Sequence, residues 1–392
     1  MKIGIDVRFL TDEYIGIGRY SHSLLKEIAR LDGENEYILY RSPEYTGRII
    51  DQGNFREVVV RSAPISAGTL FTLGRALKAE NLDVFHSHFY ITPLLKSYRQ
   101  VVTVHDITPL LFPRYYSGRP LILEKMALGF HKFSIPYAIR QSDKIITPSE
   151  STKESILKVV PDKPGESIDV INYGIEPHFR RPDAAEIARA KKTHGLPDRY
   201  FIYVGNTKPH KNLIGLTTAF SKFLESSPRC HDIRLVIAGQ QDRFFPLLKE
   251  HVSSLKHGDK VIYWGYASDK DLLVLYPGAL AFVFPGFLEG FGLPVLEAMA
   301  CGTPVITSTA SSIPEVAGDA GILLDPNDMG GYAEAMKHIA DDSELREDLA
   351  ARGISRAREF SWRKAARETI AVYEELGSSN TQPPSNTHSP SA

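Results

Sequence analysis

The sequence predicts two doubly wound, mainly parallel α/β units in tandem, with a ligand cleft between them. Three observations carry this reading. Strand-like and helix-like segments alternate through the first half, and the alternation restarts after a loose stretch, 174–183, that holds Pro177 and Pro182. The run Ala279-Leu-Ala-Phe-Val-Phe284 is apolar throughout and bounded by Pro277-Gly278 and Pro285-Gly286, as suits a strand buried on both faces. The 392 residues suffice for two domains of ordinary size. The expected units are 1–176 and 184–360, followed by a helix over 361–376 and a polar, disordered tail over 377–392.

In the first unit, strands are expected at 2–7, 36–40, 58–61, 84–87, 100–104, 144–147 and 169–173. Helices are expected at 18–31, 70–80, 122–141 and 149–159. Gly16-Ile-Gly-Arg-Tyr20 opens the first helix and reads as a flexible loop that closes over an anionic group, with Arg19 a candidate anion or sugar contact. Gly16, Gly18 and Ser21 imitate a dinucleotide fingerprint, but about eight residues separate them from the strand they should follow at once. The strand 100–104 ends in His105 and Asp106, where open α/β sheets place ligands. His105 could contact a sugar hydroxyl or stabilise developing charge, and Asp106 could orient it or an acceptor. The pair also reads as the closing of a turn before Pro109. The loop from Pro109 to Tyr116, with Lys125, Lys132 and Arg140 beyond it, reads as a buried loop beside a solvated helix face, or as a contact for a lipid surface or lipid-linked acceptor.

In the second unit, strands are expected at 200–204, 233–238, 261–263, 281–284, 304–307 and 321–324. Helices are expected at 212–225, 245–255, 268–276, 294–300, 329–340 and 342–359. The last helix, 361–376, starts at a Ser361 N-cap and carries Trp362, Ala366, Ile370 and Tyr373 near helical spacing. After the strand 200–204, Gly205 turns the chain and Lys208, His210 and Lys211 supply positive charge. A lysine there could offset the charge on a departing diphosphate, or the turn could simply be solvated. Ser311-Ser-Ile-Pro-Glu315 follows a later strand, with the role of Glu315 left open.

The densest signal lies between Phe284 and Pro304. Glu289 stands in a Gly-rich turn, Glu289-Gly-Phe-Gly292, and Pro294 sits where a helix first turn welcomes proline. Glu297 then falls about one turn inside that helix. The helix N-terminus and the backbone of Gly290, Phe291 and Gly292 suit a phosphate. The two carboxylates suit sugar hydroxyls on either side of a diphosphate.

Apolar content of 43%, charged content of 24% and a net charge of −1 describe an ordinary globular chain and give no argument for nucleic-acid binding. Cys230 and Cys301 are far apart and lack metal-ligand spacing, so neither a disulfide framework nor a zinc site is expected. The N-terminus lacks a signal-peptide pattern, and no apolar run is long enough for a spanning helix. The expected location is cytoplasmic, with peripheral contact at the inner face of the cytoplasmic membrane.

These motifs together resemble the retaining, GT-B-fold glycosyltransferases of family 4, and among them the bacterial mannosyltransferase-like group of polysaccharide assembly. The carrying residues are Gly16-Ile-Gly-Arg-Tyr20, Val104-His-Asp106, Val204 to Asn212, Glu289 to Glu297 with Ala298-Met-Ala-Cys-Gly302, and Ile313-Pro-Glu315. The resemblance spans nearly all of 1–376. It implies that Glu289 holds donor-sugar hydroxyls, that the amides of 290–292 receive the diphosphate, and that Glu297 holds the ribose. It further implies that Lys211 meets the leaving diphosphate, that His105 lies near the donor sugar, and that Gly18 belongs to the closing loop. Asn206 and Lys208 stand as further donor contacts. It also implies that the final helix crosses back to the first domain, that no metal is needed, and that attack and departure share one face of the sugar. Two departures stand out. Asn206-Thr207 replaces an arginine common among relatives, and His210 replaces the arginine of Arg-Lys-Asn.

The expected activity is transfer of a hexose, mannose from GDP-mannose, to a glycan or polyprenyl-diphosphate-linked acceptor, with no cofactor beyond the nucleotide sugar. Base contacts are expected from the backbone near Gly265-Tyr266. Two other classes stay open. A nucleotide-sugar epimerase would convert donor without acceptor, and a nonenzymatic nucleotide-sugar-binding protein would bind without turnover.

Overall fold

Thirteen strands among the described residues form two all-parallel sheets with the same winding. The structure is a computed structural model and describes residues 1–11, 16–66, 68–94, 96–112 and 120–378. The first sheet holds β1 (Lys2–Asp6), β2 (Glu36–Arg41), β3 (Phe55–Val59), β4 (Val84–Ser87), β5 (Arg99–Thr103), β6 (Lys144–Thr147) and β7 (Ile168–Val170). The second holds β8 (Tyr200–Val204), β9 (Arg234–Ala238), β10 (Val261–Gly265), β11 (Ala281–Phe284), β12 (Val305–Ser308) and β13 (Ile322–Leu324). The orders are β3-β2-β1-β4-β5-β6-β7 and β10-β9-β8-β11-β12-β13.

Strands such as β4 and β11 are buried along their whole length, which explains why they read as continuous rather than alternating apolar runs. Winding reverses between β1 and β4 in the first sheet and between β8 and β11 in the second. Ligand crevices form outside the carboxyl ends of strands at such reversals. The loops after β1, β5, β8 and β11 all reach one cleft.

The final helix, Trp362–Ser378, leaves the second unit and packs on the first helix, Ile17–Leu31, and on β4. Tyr373 Oη and His86 Nδ1 lie 2.6 Å apart in a fully buried setting, and Lys144 pairs with Glu375 at 2.8 Å. The backbone of Gly174 lies directly against that of Trp362, leaving no space for a Cβ. The two halves also meet at a helix terminus. Glu315 accepts hydrogen bonds from the amides of Glu150 and Ser151, both at 2.8 Å, at the start of helix Glu150–Val159. A carboxylate favours that end of a helix through the unpaired amides and the macrodipole. Ser149 and Thr152 donate to the Gly290 carbonyl at 2.8 and 3.2 Å. Glu315, whose role the sequence leaves open, thus ties one half to the other.

Several expectations need correction. The stretch 70–80 is not one helix: a wide π-type turn, Thr69–Leu73, precedes the short helix Gly74–Lys78. The strand expected at 58–61 lies at Phe55–Val59, because pairing with Tyr37–Arg41 sets its register. The strand expected at 169–173 is shorter and earlier, Ile168–Val170. A helix that was not expected, Ala184–His194, begins the second unit with a capping box between Asp183 and Glu186, and Gly195 ends it at φ 63°. Gly377 and Ser378, assigned to the tail, belong to the final helix, and 379–392 lie outside the described residues. Of the 109–116 loop, Thr108–Leu111 forms one helical turn, and 113–116 lie outside the described residues. No described helix is long and apolar enough to cross a membrane.

Candidate functional site

The cleft has a volume of about 390 Å³ and draws walls from both halves. From the first come Gly16, Arg19, His105 and Asp106; from the second come Asn206, Lys211, Glu289, Gly290 to Gly292 and Glu297. Gly239, Gln240, Tyr266 and Leu272 line it as well. Two expected contacts are not among the lining residues. Gly18 is buried beneath the first-strand loop, where an added Cβ would stand 2.9 Å from the Phe9 carbonyl. Lys208 sits in a turn where its backbone amide donates to the Asn206 side-chain oxygen at 3.2 Å.

The Gly-rich turn is held in shape from behind. Ser311 and Ser312 donate to the Glu289 carbonyl at 2.7 and 3.0 Å, and Ser312 also to the Phe291 carbonyl at 2.9 Å. Gly292 adopts φ 110°, a left-handed conformation that a side chain resists, and becomes the N-cap of helix Leu293–Ala300. Gly290 lies against the His105 carbonyl so closely that any Cβ would collide with it. The glycines therefore let the turn meet the opposite half and line the cleft with its backbone.

Two helix N-termini converge there, those of Ile17–Leu31 and Leu293–Ala300. Neither has a side-chain cap or an acidic residue in its first turn among the described residues. Their free amides and partial positive charge suit an anionic ligand placed between them.

Two cations in the cleft are ion-paired. Lys211, on the turn Pro209–Lys211, pairs with Glu289. Arg19 reaches across from the first half to Glu297 and Asp269. Arg19, expected as an anion, acceptor or sugar contact, lies in the cleft with its guanidinium on carboxylates of the second half. Burial disfavours the charge on Arg19, yet Glu297 and Asp269 more than offset that and raise its pKa above the ordinary value. Glu297 is 4% exposed, and its second oxygen accepts from Tyr276 Oη at 3.1 Å. Burial pushes its pKa up to about 7, against the pull of Arg19.

His105 is placed at the cleft, but both ring nitrogens are engaged within the protein. Nε2 faces the His88 carbonyl at 2.8 Å and must donate to it, so Nδ1 accepts from Tyr173 Oη. Burial lowers its pKa to about 4, which leaves the imidazole neutral near pH 7. The expectation that this ring contacts a sugar hydroxyl therefore meets a ring already satisfied; its backbone carbonyl is the part that lies over Gly290. Asp106 accepts from the Thr108 amide at 2.7 Å and closes the turn. His210 is buried and its pKa falls to about 2, so it adds no positive charge.

Tyr276 and Asp269 support the site without having been singled out from sequence, and Ser311 and Ser312, read there only as part of the Glu315 motif, brace the turn. Tyr276 stands 21 residues before the carboxylate it serves, inside an ordinary apolar helix pattern. Nothing local distinguishes it.

The family model described as "Glycosyl transferases group 1" matches residues 185–356, and the one described as "Glycosyltransferase Family 4" matches 14–179. The chain is 30% identical over 379 residues to O-antigen chain mannosyltransferase B of Escherichia coli, covering 92% of this chain and 96% of that protein. It is 28% identical over 285 residues to the serotype-specific mannosyltransferase WbdA of Escherichia coli, covering 71% of this chain and 34% of that longer protein. Among solved structures, sucrose-phosphate synthase from Thermosynechococcus elongatus superposes with a TM-score of 0.73 at 21% identity, over 97% of this chain and 100% of that one.

The raised pKa of Glu297 has a consequence for stability. An unfolded glutamate titrates near 4.5 and the folded one near 7, so between these values the native state holds a proton that the unfolded chain has lost. That contribution is present below the lower value and vanishes as pH rises through the upper. Thermal melts from about pH 5 to about pH 8 should show wild type losing stability relative to Glu297→Gln as pH rises. A gap independent of pH would contradict the assignment.

Proposed function

Because the chain belongs to the glycosyltransferases of group 1 and family 4, we propose that it is a retaining hexosyltransferase. In this reading it moves mannose from GDP-mannose to a glycan or polyprenyl-diphosphate-linked acceptor, as in surface polysaccharide assembly. The observation that carries the donor site is the convergence of two carboxylates, two cations and two uncapped helix N-termini on one cleft. Mannose is favoured because the two relatives described above are mannosyltransferases by name.

In the proposed complex, Glu297 accepts ribose hydroxyls and Glu289 accepts hydroxyls of the sugar. The amides of 290–292 and Lys211 receive the diphosphate, and Asn206 borders it. Tyr266 and Gln240 flank the base. His105, neutral and fixed by His88 and Tyr173, walls the sugar site. The bond from C1 to the diphosphate oxygen breaks while the acceptor oxygen bonds to C1 on the same face. The acceptor's proton passes to the departing diphosphate oxygen, and Lys211 offsets the charge left there. The reaction is proposed to run without a metal. In support, the helix termini and Lys211 already supply positive charge to the cleft.

Transfer should be measured with GDP-mannose, UDP-glucose, UDP-N-acetylglucosamine, ADP-glucose and dTDP-rhamnose, with EDTA present. GDP-mannose is expected to react, with its anomeric configuration kept in the product. Lys211→Ala should lower kcat by roughly 10²–10³ while changing donor KM far less. Equal losses in both would contradict the leaving-group role. Conversion of donor without acceptor would indicate an epimerase, and binding without turnover a nonenzymatic protein.

The proposal extends to peripheral contact with the membrane's inner face. Helix Leu121–Gln141 exposes Ile122, Met126 and Phe133, with Lys125 and Lys132 beside them. An apolar stripe flanked by lysines suits an anionic bilayer surface. The protein should co-sediment with phosphatidylglycerol vesicles, and the double variant Ile122→Glu/Met126→Glu should not. Equal sedimentation of both would contradict this contact.

A further inference from the structure

Arg19 occupies an unusual electrostatic position. It lies in the first turn of helix Ile17–Leu31, where the macrodipole is positive and a cation is disfavoured. No acidic residue shares that turn. Its side chain, 18% exposed, lines the cleft and pairs there with Glu297 and Asp269. Among the described lining residues, Arg19 and Lys211 are the ones that carry positive charge, since His105 is neutral near pH 7. They come from opposite halves and face the same space. A diphosphate ester carries about two negative charges, and Lys211 can balance only one of them.

Arg19 is held by two carboxylates of the second half. One of its amino groups is on Glu297 and the other on Asp269. Both oxygens of Glu297 are therefore taken, one by Arg19 and one by Tyr276. Glu297 is 4% exposed with a donor on each oxygen, so a ribose hydroxyl must compete with these partners for the carboxylate. Tyr276 is fully buried in the core and cannot withdraw. Arg19 is partly exposed, sits beside the glycine N-cap Gly16, and has the long side chain. It is the partner that moves.

Resting on the donor-site reading above, we infer that Arg19 is a second catalytic cation. When ribose takes Glu297, the guanidinium transfers from that carboxylate to the diphosphate. There it joins Lys211 in offsetting the charge of the departing nucleotide. Its planar fork can meet two phosphate oxygens at once, and it stays charged throughout. Binding of the ribose and delivery of the cation are then one event, so the first half contributes its charge only when a donor is in place.

The test compares a nucleoside diphosphate with its nucleoside. Calorimetric titrations would use GDP and guanosine, and in parallel UDP and uridine, on wild type, Arg19→Ala and Arg19→Lys, each checked for an intact melting transition. Arg19→Ala should lose about 10- to 100-fold in diphosphate affinity while nucleoside affinity holds or rises, since Glu297 is freed. Its kcat should fall by roughly 10²–10³. Arg19→Lys, which keeps a charge, should retain more of both. Diphosphate affinity and kcat left at wild-type levels in Arg19→Ala would reduce Arg19 to a contact between the halves and overturn the inference. Parallel loss of nucleoside and diphosphate affinity, or equal damage from Ala and Lys, would also overturn it. Wild type binding none of the four ligands would remove the donor-site reading itself, and this inference with it.

Discussion

A carboxylate buried at the floor of a cleft is unfavourable unless something answers its charge. Glu297 is such a group, and its cation comes from the opposite half of the molecule, on Arg19. Much of the architecture follows from making that meeting possible. The strand reversals of the two sheets must face each other, so that the loops after β1 and β11 share one space. The first helix must start at that space, uncapped. The final helix must hold the first one in place from behind, which it does through the packing of Trp362–Ser378 against Ile17–Leu31 and the buried Tyr373–His86 pair. Glu315 on the start of helix Glu150–Val159, and Ser149 on the Gly290 carbonyl, fix the remaining separation between the halves.

The second ion pair, Lys211 with Glu289, repeats the logic within one half. Each cation in the cleft is matched to a carboxylate that the family resemblance assigns to hydroxyl recognition. Hydroxyls are neutral donors, so the carboxylates can accept them once the cations have an anion of their own. A diphosphate supplies that anion. An occupant carrying hydroxyls on both sides of a diphosphate would satisfy Arg19, Lys211, Glu289 and Glu297 at once.

The fold was largely legible in the sequence because it is written in local terms. Runs such as Ala281–Phe284 are apolar without alternation, and Gly/Pro punctuation marks their ends. The Gly-rich turn with Pro294 placed Glu289 and Glu297 relative to one helix start, which the structure bears out. What was not legible depends on distant partners. The strand at Phe55–Val59 was misplaced because its register comes from β2. The helix Ala184–His194 has no buried residue, so it lacks an apolar face, and only its Asp183–Glu186 capping box announced it. Arg19 gave an anion-contact signal, but its partners lie 250 and 278 residues away. His105 was placed at the cleft by the strand-end rule, yet no local pattern could disclose that His88 and Tyr173 already satisfy its ring.

The central claim is that this cleft binds the nucleotide sugar through groups that neutralise each other in its absence. A crystal structure with the intact donor bound tests it most directly. The account predicts ribose hydroxyls on Glu297, sugar hydroxyls on Glu289, and the diphosphate between Lys211 and the amides of 290–292. A donor bound elsewhere, or one in the cleft that leaves both Arg19–Glu297 and Lys211–Glu289 intact, would contradict it.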